Sequence, residues 1–245
     1  MRKWVLIVFS IVVLGAPPAA AEFVVLSSTQ ASVAVGAVIG DTQKIKLAAN
    51  KTILLIDKAG RTITVNGPFD GVVKGPGGGG GRSKLVRALS GLIRDNEEDA
   101  HSVGAIRAVA KQKIEQTVTS KEAAMVINIS ETGDYCLLPD NKRELIRYHT
   151  EPGGEVTLTA VADGTAHVVP WPKNAAKVTW PTELKIEDGA RFLVSQAGKD
   201  SRTLITVHAL AAEAPTEAHL AVSLIAKECI EQARLILVYI RRSAK

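Results

Sequence analysis

The side chains able to do chemistry in this chain are few and scattered. Cys136 and Cys229 are the only cysteines in 245 residues, and in an oxidising compartment an even pair points to a disulfide. Two buried free thiols are the competing arrangement. A zinc site needs four ligands, and His149, His167, His208 and His219 show neither HxxxH nor CxxC spacing. No metal site is therefore expected. There is no GxSxG, SxxK or HExxH motif, so any catalytic centre would have to be assembled from distant residues, such as His149 or His208 with Asp163 or Asp188. The expectation is a protein that is not an enzyme, with no catalytic residues and no cofactor.

Three other segments invite a chemical reading. Gly77 to Gly81 followed by Arg82-Ser83 lies before a helical stretch, but a phosphate-binding loop needs GxxxxGK and then Ser or Thr, and Arg82 stands where the lysine belongs. A flexible linker is the better reading. Glu97-Glu98-Asp99 lacks the spaced carboxylates and central glycine of a calcium loop. Trp171-Pro172 and Trp180-Pro181, with Lys173 and Lys177 between them, suggest a stacking platform. Aromatic residues make up 4% of the chain, so core or edge packing of both rings is favoured over that role. Trp171 and Trp180 are the candidate ligand-stacking residues, and their exposure decides between the two.

The elements that must position these groups begin with an export signal. Arg2 and Lys3 precede an apolar run from Trp4 to Leu14, Pro17-Pro18 breaks it, and Ala19-Ala20-Ala21 supplies small residues for cleavage. Residues 1–21 read as a signal peptide, with retention as a membrane anchor as the alternative. Membrane contact is expected only if that segment is uncleaved. Removing Arg2 and Lys3 lowers the formal charge from +5 to +3. The remaining Lys and Arg are interspersed with Asp and Glu, whereas a nucleic-acid binder would cluster them. No nucleic-acid partner is expected.

Residues 22–74 alternate apolar and polar positions between turns rich in Gly, Asn and Pro, the pattern of a small all-β module. Residues 75–82 form the Gly-rich linker, and 83–123 read as a helical connector, with Ser83 as cap, an apolar face through Leu85, Leu89 and Ile93, and an end at the acidic run 95–99. Residues 124–245 return to strands spaced as in a β-sandwich, closed by a long helix that Thr216 caps. The fold class expected is α+β, mainly β, with the sandwich covered by the C-terminal helix. A bridge from Cys136 to Cys229 would tie that helix down and, closing about 90 residues, stabilise by up to about 4 kcal/mol.

From Val35-Gly36-Ala37-Val38-Ile39-Gly40 through Ile45 to Leu55 and on to Asp57-Lys58-Ala59-Gly60-Arg61-Thr62-Ile63-Thr64-Val65, the chain resembles the extracytoplasmic β module of FecR-like proteins. The likeness covers about one fifth of the chain. That family's best-known members relay a surface signal to a sigma factor through a cytoplasmic N-terminal segment. Here only Met1-Arg2-Lys3 would lie inside, so the resemblance implies an exported β-rich binding module rather than sigma-factor signalling. The overall layout also resembles that of uncharacterised exported proteins of Gram-negative bacteria. The function expected is that of a non-enzymatic periplasmic binding or scaffold protein of the cell envelope, contacting an unknown envelope protein. The alternative is a carbohydrate- or peptidoglycan-binding envelope module.

Overall fold

A computed structural model describes residues 22–75, 84–99, 120–138, 143–147, 153–198, 202–210 and 214–243. The expected signal segment, the whole glycine run 77–81, Ser83, His149 and residues 100–119 of the helical connector lie outside the described residues.

The N-terminal module consists of β1 (Glu22–Ser28), β2 (Val38–Gly40), β3 (Lys44–Leu47), β4 (Thr52–Asp57), β5 (Thr62–Asn66) and β6 (Phe69–Val72). Four of these pair in the order β2-β1-β4-β5, and β3 pairs with β6. Both faces of the larger sheet are apolar. Phe23 and Val25 of β1, with Ile53 and Leu55 of β4, point into the module's own core, where Ile45 and Leu47 meet them. Val24 and Leu26 of β1 and Ile56 of β4 point the other way. A register shift between Val25 and Ser27 accompanies this near the end of β1.

Against that second face lie the helices α1 (Lys84–Asp99), α2 (Lys121–Ala124), α3 (Glu217–Ala226) and α4 (Ile230–Ser243). Val86, Leu89 and Ile93 of α1 pack with Leu220 and Leu224 of α3 and with Ile236 and Leu237 of α4. The acidic run, expected to end α1, is instead its last helical stretch. The single C-terminal helix expected from the sequence is two helices. Thr216 caps the first as expected, accepting from the His219 N–H at 3.3 Å. Glu228 then adopts φ +64, a left-handed conformation that breaks the helix without a glycine.

The third layer is built from β7 (Ile127–Asn128), β8 (Gly133–Leu137), β9 (Glu144–Ile146), β10 (Gly154–Ala160), β11 (Ala166–Trp171), β12 (Lys177–Thr179), β13 (Ala190–Gln196) and β14 (Arg202–Ala209). A five-stranded sheet, β11-β10-β13-β14-β8, faces a three-stranded sheet, β12-β9-β7, across a core holding Leu145, Leu158, Phe192 and Val207. This is the expected sandwich, and the chain does cross between sheets at the Trp-Pro pairs, since β12 belongs to the smaller sheet. Along β8, Tyr135 and Leu137 enter the sandwich core whereas Cys136, and Leu138 just beyond the strand, enter the helical core. The helices are thus packed between two β layers. They cover the sandwich as expected, and they also share a core with the N-terminal module.

Two glycines of the N-terminal turns let that module approach the helices closely. At Gly36, with φ +79, the carbonyl accepts a buried 2.7 Å hydrogen bond from Ser90 Oγ of α1. At Gly60, with φ +83, a methyl group would sit 2.5 Å from the His219 Cα and 2.9 Å from the Ala218 carbonyl of α3. Asp57 shapes this turn by accepting from the N–H groups of Ala59 and Arg61, both at 2.9 Å. Gly60→Ala is therefore expected to destabilise by about 2 kcal/mol or more, combining a disfavoured φ with a backbone clash. Urea unfolding followed by tryptophan fluorescence checks this at a distance, because Trp171 and Trp180 lie in the opposite β layer. An unchanged midpoint would mean that the layers unfold independently.

Candidate functional site

Cys136 and Cys229 are joined, with a Cα separation of 5.8 Å that fits the usual range for a disulfide. The bridge ties β8 to the start of α4. Around it runs a line of charged side chains held by the parallel pairing of β14 with β8, which sets His208 opposite Cys136 and Thr206 opposite Asp134. His208 Nε2 lies 2.8 Å from Asp134 Oδ1, and its Nδ1 lies 3.5 Å from Asp188 Oδ1. Asp188 also accepts from Lys227 Nζ at 3.0 Å and from the Ala209 N–H at 3.1 Å. Lys227 sits in the turn between α3 and α4, so this line straps the Asp188-Gly189 turn and the sandwich to the helical layer.

Of the distant catalytic pairings considered from sequence, the fold brings His208 to Asp188 and leaves Asp163 elsewhere, in the β10–β11 turn. Both ring nitrogens of His208 face carboxylates, which orients the ring and leaves neither nitrogen directed at a nucleophile. Asp134 and Lys227 were not singled out from sequence. The signal for Asp134 was its position two residues before Cys136, which places both on one face of a strand.

Asp188 carries a pH dependence whose sign is fixed. Its carboxyl is held below the ordinary aspartate range, first by the hydrogen bond from Lys227 and then by the Lys227 charge, the Ala209 N–H and nearby His208. A depressed native pKa contributes stability above the unfolded-state value and loses it as the pH falls through the native one. Asp188→Asn should thus lower the melting temperature slightly at neutral pH, with the gap to the parent closing as the pH falls below the ordinary aspartate range. A gap that stays constant across that range would show that the carboxylate is not involved.

The two tryptophans are not stacking residues. Each is 2% exposed and lies in the sandwich core. Trp171 Nε1 donates to the Ala175 carbonyl at 2.8 Å, and Trp180 Nε1 to the Leu184 carbonyl at 3.1 Å. Trp180 packs edge-on to Phe192 at 4.9 Å, and the Arg147 guanidinium lies 4.8 Å over the Trp171 ring. The reason is strand parity, which puts Trp171 on the same face as buried Val169.

An open cleft of about 640 Å³ does lie on the sandwich, between the β10–β11 turn and the segment leading into β13. Its charged lining is Asp163, Glu183, Glu187 and Asp188 against Lys185 and Arg191, with His167 beside them. The Asp163 carboxyl accepts from the Thr165 N–H at 2.9 Å, and hydrogen bonding by Thr165 holds it below its ordinary range. The cleft is thus acidic in a chain whose net charge is +5. At its rim stands Val161, 46% exposed, and beyond the turn Val168, 57% exposed.

Among the described residues no helix is long and apolar enough to cross a membrane. Compared with known proteins, the chain matches no family model, no curated protein and no solved structure.

Proposed function

We propose that this chain is a non-enzymatic binding or scaffold protein of the bacterial cell envelope, acting in the periplasm by contacting a protein partner. The observation that carries the reading is where apolar surface is exposed. Among the described residues three large apolar side chains are exposed, and two of them, Val161 and Val168, belong to the β10–β11 hairpin beside the cleft. Two exposed valines on one hairpin that borders a polar concavity favour a protein contact, in which a few apolar anchors are rimmed by charge. The intramolecular disulfide fits an oxidising extracytoplasmic compartment. A carbohydrate-binding role is less well supported, because both candidate stacking rings are buried.

The test is site-specific photo-crosslinking in intact cells, with the reactive residue placed at Val161, at Val168 or at Thr64, an exposed position on β5. One and the same extracytoplasmic protein is expected in the adducts from positions 161 and 168, and not from 64. Adducts that are absent, or identical from all three positions, would reject the reading.

A further inference from the structure

We propose that the free edge of β11 binds an extended peptide segment by strand addition, with a lysine or arginine of that segment reaching into the acidic cleft. This rests on the reading that the chain contacts a protein partner, and it names the chemistry of that contact. The argument starts from hydrogen-bond parity. β11 ends the five-stranded sheet and among the described residues pairs only with β10. The Ala160 N–H donates to the Thr165 carbonyl at 2.8 Å, and antiparallel pairs alternate between bonded and non-bonded. In this register His167, Val169 and Trp171 are therefore bonded to Leu158, Val156 and Gly154, whereas Ala166, Val168 and Pro170 turn their main chain outward.

That outward row is open at one end and closed at the other. Ala166 and Val168 each present an N–H and a C=O to an incoming strand. Pro170 has no N–H to offer, so it limits how far pairing can run and fixes its register. Side chains follow from the same parity. An incoming residue opposite His167 directs its side chain to the face that His167 occupies, and His167 lines the cleft. Its neighbours on either side lie beside exposed Val168 on the opposite face.

Charge chooses the residue that enters. Four carboxylates line the cleft against two cations. Asp188 already pairs with Lys227, which leaves Asp163, Glu183 and Glu187 to face Lys185 and Arg191. A basic side chain restores balance there, and an acidic one adds to the excess. Main-chain bonds along the edge then supply affinity, and the cleft supplies selectivity.

The probe is a capped heptapeptide, Thr-Val-Thr-Lys-Thr-Val-Thr, titrated into the exported, disulfide-intact chain and followed by amide NMR shifts. Saturable shifts are expected at Thr165 to Val169 and in the cleft. Replacing the lysine by glutamate, or N-methylating the two threonines that flank it, should each weaken binding about tenfold or more. Glu187→Gln and Asp163→Asn should weaken binding of the lysine peptide without shifting the thermal midpoint appreciably. The proposal is overturned if no saturable shift occurs at β11, if the N-methylated peptide binds equally well, or if the edge proves to pair with a second copy of the chain. Should the peptide fail while positions 161 and 168 still cross-link one partner, strand addition falls and the partner reading stands.

Discussion

Replacing both Cys136 and Cys229 by alanine is expected to cost about 4 kcal/mol of stability, read as a fall of roughly 8–16 °C in the thermal midpoint. The bridge spans 93 positions of sequence, so in the chain-entropy account it removes a large share of the unfolded chain's freedom. Its position amplifies the effect. Both half-cystines are fully buried in the core shared by the N-terminal module and the helices. Losing the tie frees the start of α4 and with it the surface on which α1 packs. The denaturant slope should rise too, because an uncrosslinked chain exposes more surface on unfolding. A loss below about 1 kcal/mol would mean that apolar packing alone fixes α4 on β8 and that the chain-entropy account does not hold here.

Much of this fold was legible because its signals are local. Alternation marked β1, β4 and β5, Thr216 announced the start of α3, and two cysteines in a chain whose first residues read as an export signal announced each other. The break at Glu228 was not legible. It depends on a glutamate taking a left-handed φ, and neither glycine nor proline marks the place. Nor was the His208 cluster, because it depends on β14 lying parallel to β8, a pairing between strands about 70 residues apart that no local pattern encodes. The central helical layer was half legible. Leu85, Leu89 and Ile93 gave α1 an apolar face, but the sequence did not say that Val24, Leu26 and Ile56 would meet it. Strands apolar on both faces hold that information, since a half-exposed sheet would alternate more strictly. The tryptophans were the reverse case. For Trp171 the sign was parity with Val169, and the scarcity of aromatic residues already favoured core packing of both rings over the platform that Lys173 and Lys177 suggest.

Gln232 is the second residue on which the helical layer should depend strongly. It follows Cys229 by three positions and so lies on the same face of α4, where it is 1% exposed. Its Oε1 accepts from the Cys136 N–H at 2.6 Å, and its Nε2 donates to the carbonyls of Cys136 at 3.0 Å and Val126 at 3.3 Å. Among the described residues β8 is an edge strand that pairs with β14 alone, and the amide of Gln232 takes the place of a further strand at Cys136. Gln232→Leu keeps the volume and removes both halves of that clamp. One buried N–H and two buried carbonyls then lose their partner, at about 1–3 kcal/mol for each group left unsatisfied. A total of at least about 3 kcal/mol is expected, comparable with loss of the disulfide. Gln232→Glu should do no better, since a carboxylate cannot donate to the two carbonyls and its charge would be buried. Hydrogen exchange supplies a local readout. The Cys136 amide should be protected in the parent and exchange far faster in Gln232→Leu, while amides in the middle of β10 and β13 change less. Because the clamp and the bridge hold the same two elements, their effects should not add. A double-mutant cycle between Gln232→Leu and the cysteine pair is expected to show coupling of at least about 0.5 kcal/mol. Additive losses would mean that the bridge acts on the unfolded chain and the amide on the native one, with no shared role in seating α4.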